Sequence, residues 1–267
     1  MMNRRQIVAF IGAAVASMLL AIGASLLIPS ISTLVAQSNP TLLVSTAASL
    51  KDAMEEIKTN YQQSQSEVII NFNFGASGGL LQQIQQGAPA DIFISAGKKQ
   101  VDTLEQAGKL VPGTRDVLAK NRLVLIVPRN STGVTSFFDL SKDNIRKIAI
   151  GEPRSVPAGQ YAEQVLQKLK IYDKLKSKFV YANNVRQVLA AVESGNADAG
   201  LVYQTDAAIS NKVKIVVAAS ETYHSPIVYP MAVLKQSKNV RAATEFVQYL
   251  SSEQAKSILN KYGFILP

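Results

Sequence analysis

Residues 68–96 read VIINFNFGASGGLLQQIQQGAPADIFISA. The opening seven, 68–74, are rich in Ile, Val and Phe and predict a strand. Gly75 and the small residues after it open a turn. The run 78–86 predicts a helix, stopped by Gly87 and Pro89. ADIFIS, at 90–95, predicts a second strand. Strand, helix and strand in under thirty residues argue a parallel sheet with helical crossovers, because parallel neighbours cannot be joined by a tight turn.

The same alternation extends both ways. Upstream, LLVST (42–46) predicts a buried strand, and Leu50, Ala53, Met54, Ile57 and Tyr61 fall at helical spacing. Downstream come a helix over 98–107 and a strand RLVLIV (122–127) closed by Pro128. Strands follow at 147–150, 178–181, 199–203, 213–217 and 227–234. Ala162, Val165, Leu166 and Leu169 mark one helix between them. Val185, Val188, Leu189 and Val192 mark another, ended by Gly195. A short helix is expected at 205–209, and two more close the chain near 240–250 and 252–261. These are too many strands for one small sheet, and no Pro/Gly/Ser-rich linker separates two halves. The pattern therefore predicts an α/β protein of two lobes joined by strand crossovers. Lobe 1 is expected to hold 41–120 plus 228–267 and lobe 2 to hold 121–227, with a ligand cleft between them.

The chain has 267 residues, 28 basic and 19 acidic, with one histidine, no cysteine and no tryptophan. No cysteine excludes a disulfide scaffold, thiol catalysis, zinc–cysteine sites and a lipid-bearing cysteine. A single histidine excludes multi-histidine metal sites and argues against a Ser-His-Asp hydrolase. That residue, His224, lies in the polar stretch ETYHSP and reads as a surface group. Signatures of P-loops, dinucleotide folds, nucleophile elbows and zinc proteases are missing, and the carboxylates sit singly on amphipathic helix faces. The chain is not expected to be an enzyme.

Arg4 and Arg5 precede an apolar run from Ile7 to Ile28, then Pro29, Ser30, Ser32, Thr33 and a small-residue stop at Ala36. A basic start, apolar middle and polar end describe a secretory signal over 1–36 and a periplasmic address. An uncleaved membrane anchor is the alternative, since the run exceeds ~18 residues. Residues 1–36 hold two arginines and no acid, so the formal charge of +9 becomes +7 without them. The lysines are scattered rather than clustered, so a nucleic-acid partner is not expected. Mild steering of a small anion is compatible with the charge.

The helix starts stand out. Ser49 directly precedes the first helix, with Asp52 three residues on, a capping-box spacing. Ser77 precedes the second, among Gly75, Gly78 and Gly79. Pro157-Ala158-Gly159 and Asn183-Asn184-Val185 open two further helices, and Tyr203 ends a strand just before a short one. Singly, each reads as a cap or turn. Together they lie at strand-to-helix turns, which cluster at the carboxyl ends of strands where α/β sheets bind ligands. A helix start presents unpaired N–H groups and partial positive charge, so several converging starts make an anion site without Lys or Arg. Such a site offers donors only. It suits an oxyanion with no proton at neutral pH (molybdate, tungstate or sulfate) over hydrogen phosphate, whose O–H needs an acceptor. Desolvating a dianion demands about six or seven donors.

At these segments the chain resembles the periplasmic molybdate-binding proteins of molybdate ABC importers. The likeness is carried by AASLKDAM (47–54), FGASGGLLQQIQQGAPADIFISA (74–96), VPAGQYAEQVLQKL (156–169), NNVRQVLAAVESGNADAGLVY (183–203), YPMAVL (229–234) and KYGF (261–264). It runs over nearly all of 41–267. It implies a two-lobed fold of the type II periplasmic-binding-protein kind, holding molybdate or tungstate in the cleft and delivering it to a membrane permease. By motif position the family's ligand contacts fall on the hydroxyls of Ser49 and Ser77, the amides of Ala158 and Val185, and the hydroxyl of Tyr203. Ala48 and Gly78 are weaker extras. Family members often carry a run of serines where this chain has Ala76-Ser77-Gly78-Gly79. No cofactor beyond the ligand is implied, and a monomer is expected.

Four alternatives remain at this level. One is a binding protein for another small anion, sulfate above all. One is a ferric-iron carrier using Tyr203 and Tyr229 as phenolates, which 26 intervening positions and no adjacent tyrosine pair do not favour. The others are an enzyme on a related two-lobed scaffold and an anion-sensing regulator, which would need a DNA-binding helix-turn-helix.

Overall fold

A computed structural model describes residues 39–267. The predicted signal over 1–36 lies outside the described residues. Among the described residues, ten strands make two five-stranded sheets. The first sheet has the order β2-β1-β3-β10-β4, from β1 (Thr41–Ala47), β2 (Ile69–Gly75), β3 (Ile92–Ile94), β4 (Asp116–Lys120) and β10 (Val228–Val233). The second has the order β7-β6-β8-β5-β9, from β5 (Leu123–Pro128), β6 (Ile148–Gly151), β7 (Phe179–Ala182), β8 (Ala199–Tyr203) and β9 (Val213–Ala218). In each, four strands point one way and one runs against them. That strand is β10 in the first sheet, antiparallel to β3 and β4. In the second it is β5, antiparallel to β8 and β9. The chain leaves the first sheet after Lys120 and enters the second at Leu123, and it returns between β9 and β10. Asn121 and Arg122 are thus the first crossover.

Helices pack on both sheets. α1 (Lys51–Ser64), α2 (Ser77–Gln85) and α3 (Lys98–Gln106) follow the first three strands. α4 (Pro157–Lys168), α5 (Tyr172–Leu175), α6 (Val185–Glu193) and α7 (Gln204–Ala208) serve the second sheet. α8 (Val240–Leu250) and α9 (Glu253–Lys261) return to the first, α8 against β10 and α9 against α1. The apolar stripe of α1, Ala53, Met54, Ile57 and Tyr61, is buried as its spacing requires. The strands between helical layers are apolar on both faces, as a doubly covered sheet demands: β5 reads LVLIVP and β8 reads AGLVY, both buried nearly throughout.

Two elements escaped the sequence reading. β4, DVLAK, is an edge strand with charged ends and only three apolar residues. α5 is a single turn. Neither is long enough to set up a periodic signal. No helix of the described residues is long and apolar enough to cross a membrane.

Candidate functional site

Parallel strands that share a sheet all present their carboxyl ends to one side, and helix N-termini follow. The structure does this twice, and the two sets of turns face each other. From the first sheet come the turns after β1, β2 and β3. From the second come those after β6, β7 and β8. They enclose a small cavity lined by Ala47, Ala48, Ser49, Gly75, Ala76, Ser77, Ala96, Val156, Pro157, Ala158, Asn184, Val185 and Tyr203. Its volume is about 10 Å³. Organic ligands occupy pockets of ~300 Å³ or more, so this cavity is far too small for an organic molecule.

The five main predicted residues, Ser49, Ser77, Ala158, Val185 and Tyr203, are all buried and all line this cavity. Ala48 lines it as well. Gly78 does not: its amide is donated to the Ser155 carbonyl of the other lobe at 2.9 Å. A Cβ on Gly78 would stand 2.5 Å from that same oxygen, so only glycine lets the two backbones meet there.

Two expectations about caps are corrected. Ser49 does not cap α1. It sits inside a 3-10 turn, Ala48–Leu50, that leads into the helix. Its Oγ lies 2.9 Å from the Tyr229 hydroxyl. Asp52 is no capping partner either, because it pairs with Arg186 at 2.6 Å. Ser77 is the first residue of α2 rather than its N-cap, and its Oγ accepts the Ala96 amide at 2.9 Å. Both serines are therefore anchored by distant groups, not by their own helices.

Ala158 is the second residue of α4, after Pro157 at the first position. Val185 is the first residue of α6, whose cap is the Asn184 side chain accepting from Gln187. Helix geometry gives amides in these positions no intrahelical acceptor, so they point out of the N-terminus. The Tyr203 hydroxyl reaches across to the Ala96 carbonyl at 3.4 Å, a long bond with little hold on it. Burial pushes the Tyr203 phenol well above its usual range, so it stays protonated and remains a donor. The cavity wall thus combines three hydroxyls with helix-terminal amides and contains no carboxylate, lysine or arginine.

Behind this wall lie groups that sequence reasoning missed. Asn121, at the crossover, donates through Nδ2 to Thr205 Oγ1 at 2.9 Å and to the Tyr229 hydroxyl at 3.2 Å. Arg186, next to Val185, spans the lobes: it reaches Asp52 and, at 3.3 Å, the Ser49 carbonyl. Its Nε stands 2.6 Å from Asp206 Oδ1, close enough for ion pairing though not aligned as a hydrogen bond. Apart from Asp206, these partners lie 84 or more residues apart along the chain, so no local pattern reveals them. Tyr203 and Tyr229 also correct the sequence argument from their separation: their rings pack edge to face with centroids 6.0 Å apart. His224 is half-buried against Tyr161 at a ring distance of 5.8 Å, away from the cavity wall.

The profile for bacterial extracellular solute-binding proteins matches residues 42–265. A Bacillus subtilis protein, YvgL, provisionally named an ABC transporter substrate-binding lipoprotein, is 47% identical over 84% of this chain and 86% of its own. The molybdate-binding protein ModA of Haemophilus influenzae is 39% identical over 82% of this chain and 87% of its own. Among solved structures, the periplasmic molybdate-binding protein of Azotobacter vinelandii superposes with a TM-score of 0.75 at 29% identity. That match covers 85% of this chain and 99% of the other.

Proposed function

Because the chain belongs to the bacterial extracellular solute-binding protein family, alongside the molybdate-binding proteins, we propose that it captures molybdate or tungstate between its lobes and delivers it to the membrane permease of an ABC importer. One observation carries this reading: helix-start donors from both lobes, Ser49, Ser77, Ala158, Val185 and Tyr203, line one cavity that has no charged side chain. A dianion there is held by hydrogen bonds and by the N-terminal ends of α4 and α6. Ser49 and Ser77 belong to the first lobe and Ala158, Val185 and Tyr203 to the second, so only the closed form makes every bond, and ligand binding favours closure. No step breaks a bond in the ligand, and the chain acts as a carrier rather than an enzyme. All five donors come from one chain, so a monomer suffices. We assign it an extracytoplasmic place of work, with the 1–36 segment as its export signal.

The rival iron reading requires phenolates. Burial pushes both Tyr203 and Tyr229 upward, the direction that keeps phenols neutral, and the Tyr229 hydroxyl is already engaged by Ser49 and Asn121. The test is calorimetric titration of residues 37–267 with molybdate, tungstate, sulfate, phosphate and ferric citrate. One-to-one binding of molybdate and tungstate, tenfold or more weakened by Ser49→Ala or Ser77→Ala, is the expected result. Heat with ferric citrate alone, or with no oxyanion at all, would overturn it.

A further inference from the structure

A hydroxyl can donate or accept, so a wall of serines does not by itself make a donor-only pocket. Something must fix which way each O–H points. For Ser77 the answer is direct. Its Oγ accepts from the Ala96 backbone amide, which can only donate, so the Ser77 proton is left for the cavity. For Ser49 the partner is Tyr229, another hydroxyl, and the 2.9 Å contact has two possible directions.

The ambiguity is resolved one step further back. Asn121 Oδ1 accepts the Arg122 backbone amide at 2.9 Å, which identifies the other side-chain atom as the NH2 group. That NH2 faces the Tyr229 oxygen at 3.2 Å, so Tyr229 is an acceptor toward Asn121. Tyr229 is fully buried, and its own proton needs an acceptor. Ser49 Oγ is the one the described residues supply. If Ser49 donated to Tyr229 instead, the phenolic proton would be left buried and unpaired. The Ser49 oxygen therefore accepts, and its proton, like that of Ser77, is turned to the ligand.

We propose that Asn121 and Tyr229 are positioning residues that set the polarity of Ser49, turning its proton, like that of Ser77, to the ligand and so favouring oxyanions that carry no proton. This rests on the oxyanion reading above and adds to it the source of discrimination against hydrogen phosphate. It also places that source at the crossover between the lobes, outside the cavity wall.

The experiment measures molybdate and inorganic phosphate affinities at pH 7.5 for the wild type, Tyr229→Phe, Asn121→Ala and the double variant. Tyr229→Phe removes the proton that Ser49 accepts, and Asn121→Ala lets the Tyr229–Ser49 pair reverse. Each frees a Ser49 lone pair for the phosphate O–H. The molybdate-to-phosphate affinity ratio is expected to fall about tenfold or more in each. The two changes should not add, because both act through one hydroxyl. A structural role alone would lower the melting temperature without moving the ratio. A ratio within twofold of wild type in a folded, molybdate-binding Asn121→Ala or Tyr229→Phe protein would overturn the proposal. So would additive effects. If the wild type binds no oxyanion, the oxyanion reading itself fails, a result distinct from an unchanged ratio. If Tyr229→Phe does not fold, Asn121→Ala decides alone.

Discussion

Asp206 lies fully buried in the first turn of α7, and desolvation pushes its carboxyl up to about 6 despite the Arg186 guanidinium beside it. The direction is opposite to that of a surface carboxylate in a salt bridge. Between about pH 4 and pH 6 the folded chain holds a proton here that the unfolded chain has released, so stability falls as pH rises through that window. Below it both states are protonated, and above it both are ionised with the burial cost in place. In Asp206→Asn this loss is absent, so the stability change from pH 4.5 to pH 7, read by denaturant unfolding, should be about 1–3 kcal/mol more favourable in the variant than in the wild type. An identical pH dependence in both proteins would refute the assignment. At the same scale, Ser49 and Asp52 mark the limit of spacing arguments. The i, i+3 pattern is real, but each side chain has a stronger partner more than 130 positions away, in Tyr229 and Arg186. What was legible was that these residues sit at a helix start. What they bond to was not.

The start of α4 gives the element its function through packing rather than chemistry. Gly159 sits against β6 so closely that an added Cβ would lie 2.0 Å from the Gly151 carbonyl oxygen and 2.6 Å from its carbon. Neither is a flexible atom, so the helix end must move. Gly159→Ala should destabilise the protein by about 1–3 kcal/mol through overpacking. It should also weaken molybdate binding, because the Ala158 amide moves with the helix. Both losses are measurable, by denaturation and by titration, and retention of full affinity would separate Ala158 from the site. The VPAGQYA segment was readable for the same physical reason. Proline at the first helical position and glycine at the contact with β6 are local requirements, so they leave a mark in the sequence. The edge strand β4 leaves none, because its place is set by its antiparallel partner β10, more than a hundred residues away.

At the scale of the whole molecule, the two sheets repeat one strand order, and the contacts between lobes are few and specific. The Gly78 amide meets the Ser155 carbonyl, Arg186 meets Asp52 and the Ser49 carbonyl, and the Tyr161 and Tyr203 hydroxyls meet the Ala96 carbonyl. The helix starts could be found one at a time from the sequence, but these pairings depend on how the lobes close, which no periodicity encodes. They separate binding from folding. The nearest atoms to a Cβ on Gly78 all belong to Ser155, with the oxygen at 2.5 Å and Cα at 2.8 Å, and none lies in its own lobe. Gly78→Ala therefore obstructs closure while favouring α2 slightly, since alanine suits a helix better than glycine. The melting temperature without ligand should stay within a few degrees of wild type or rise. Affinity for molybdate should fall about tenfold or more, because part of the binding energy must now force the lobes together. Small-angle scattering should show that saturating molybdate compacts the wild type but not the variant. Gly159→Ala loses stability and affinity together, whereas Gly78→Ala should lose affinity alone. A Gly78→Ala protein that binds and compacts like the wild type would mean that the Gly78–Ser155 contact forms no part of the closed, ligand-holding state.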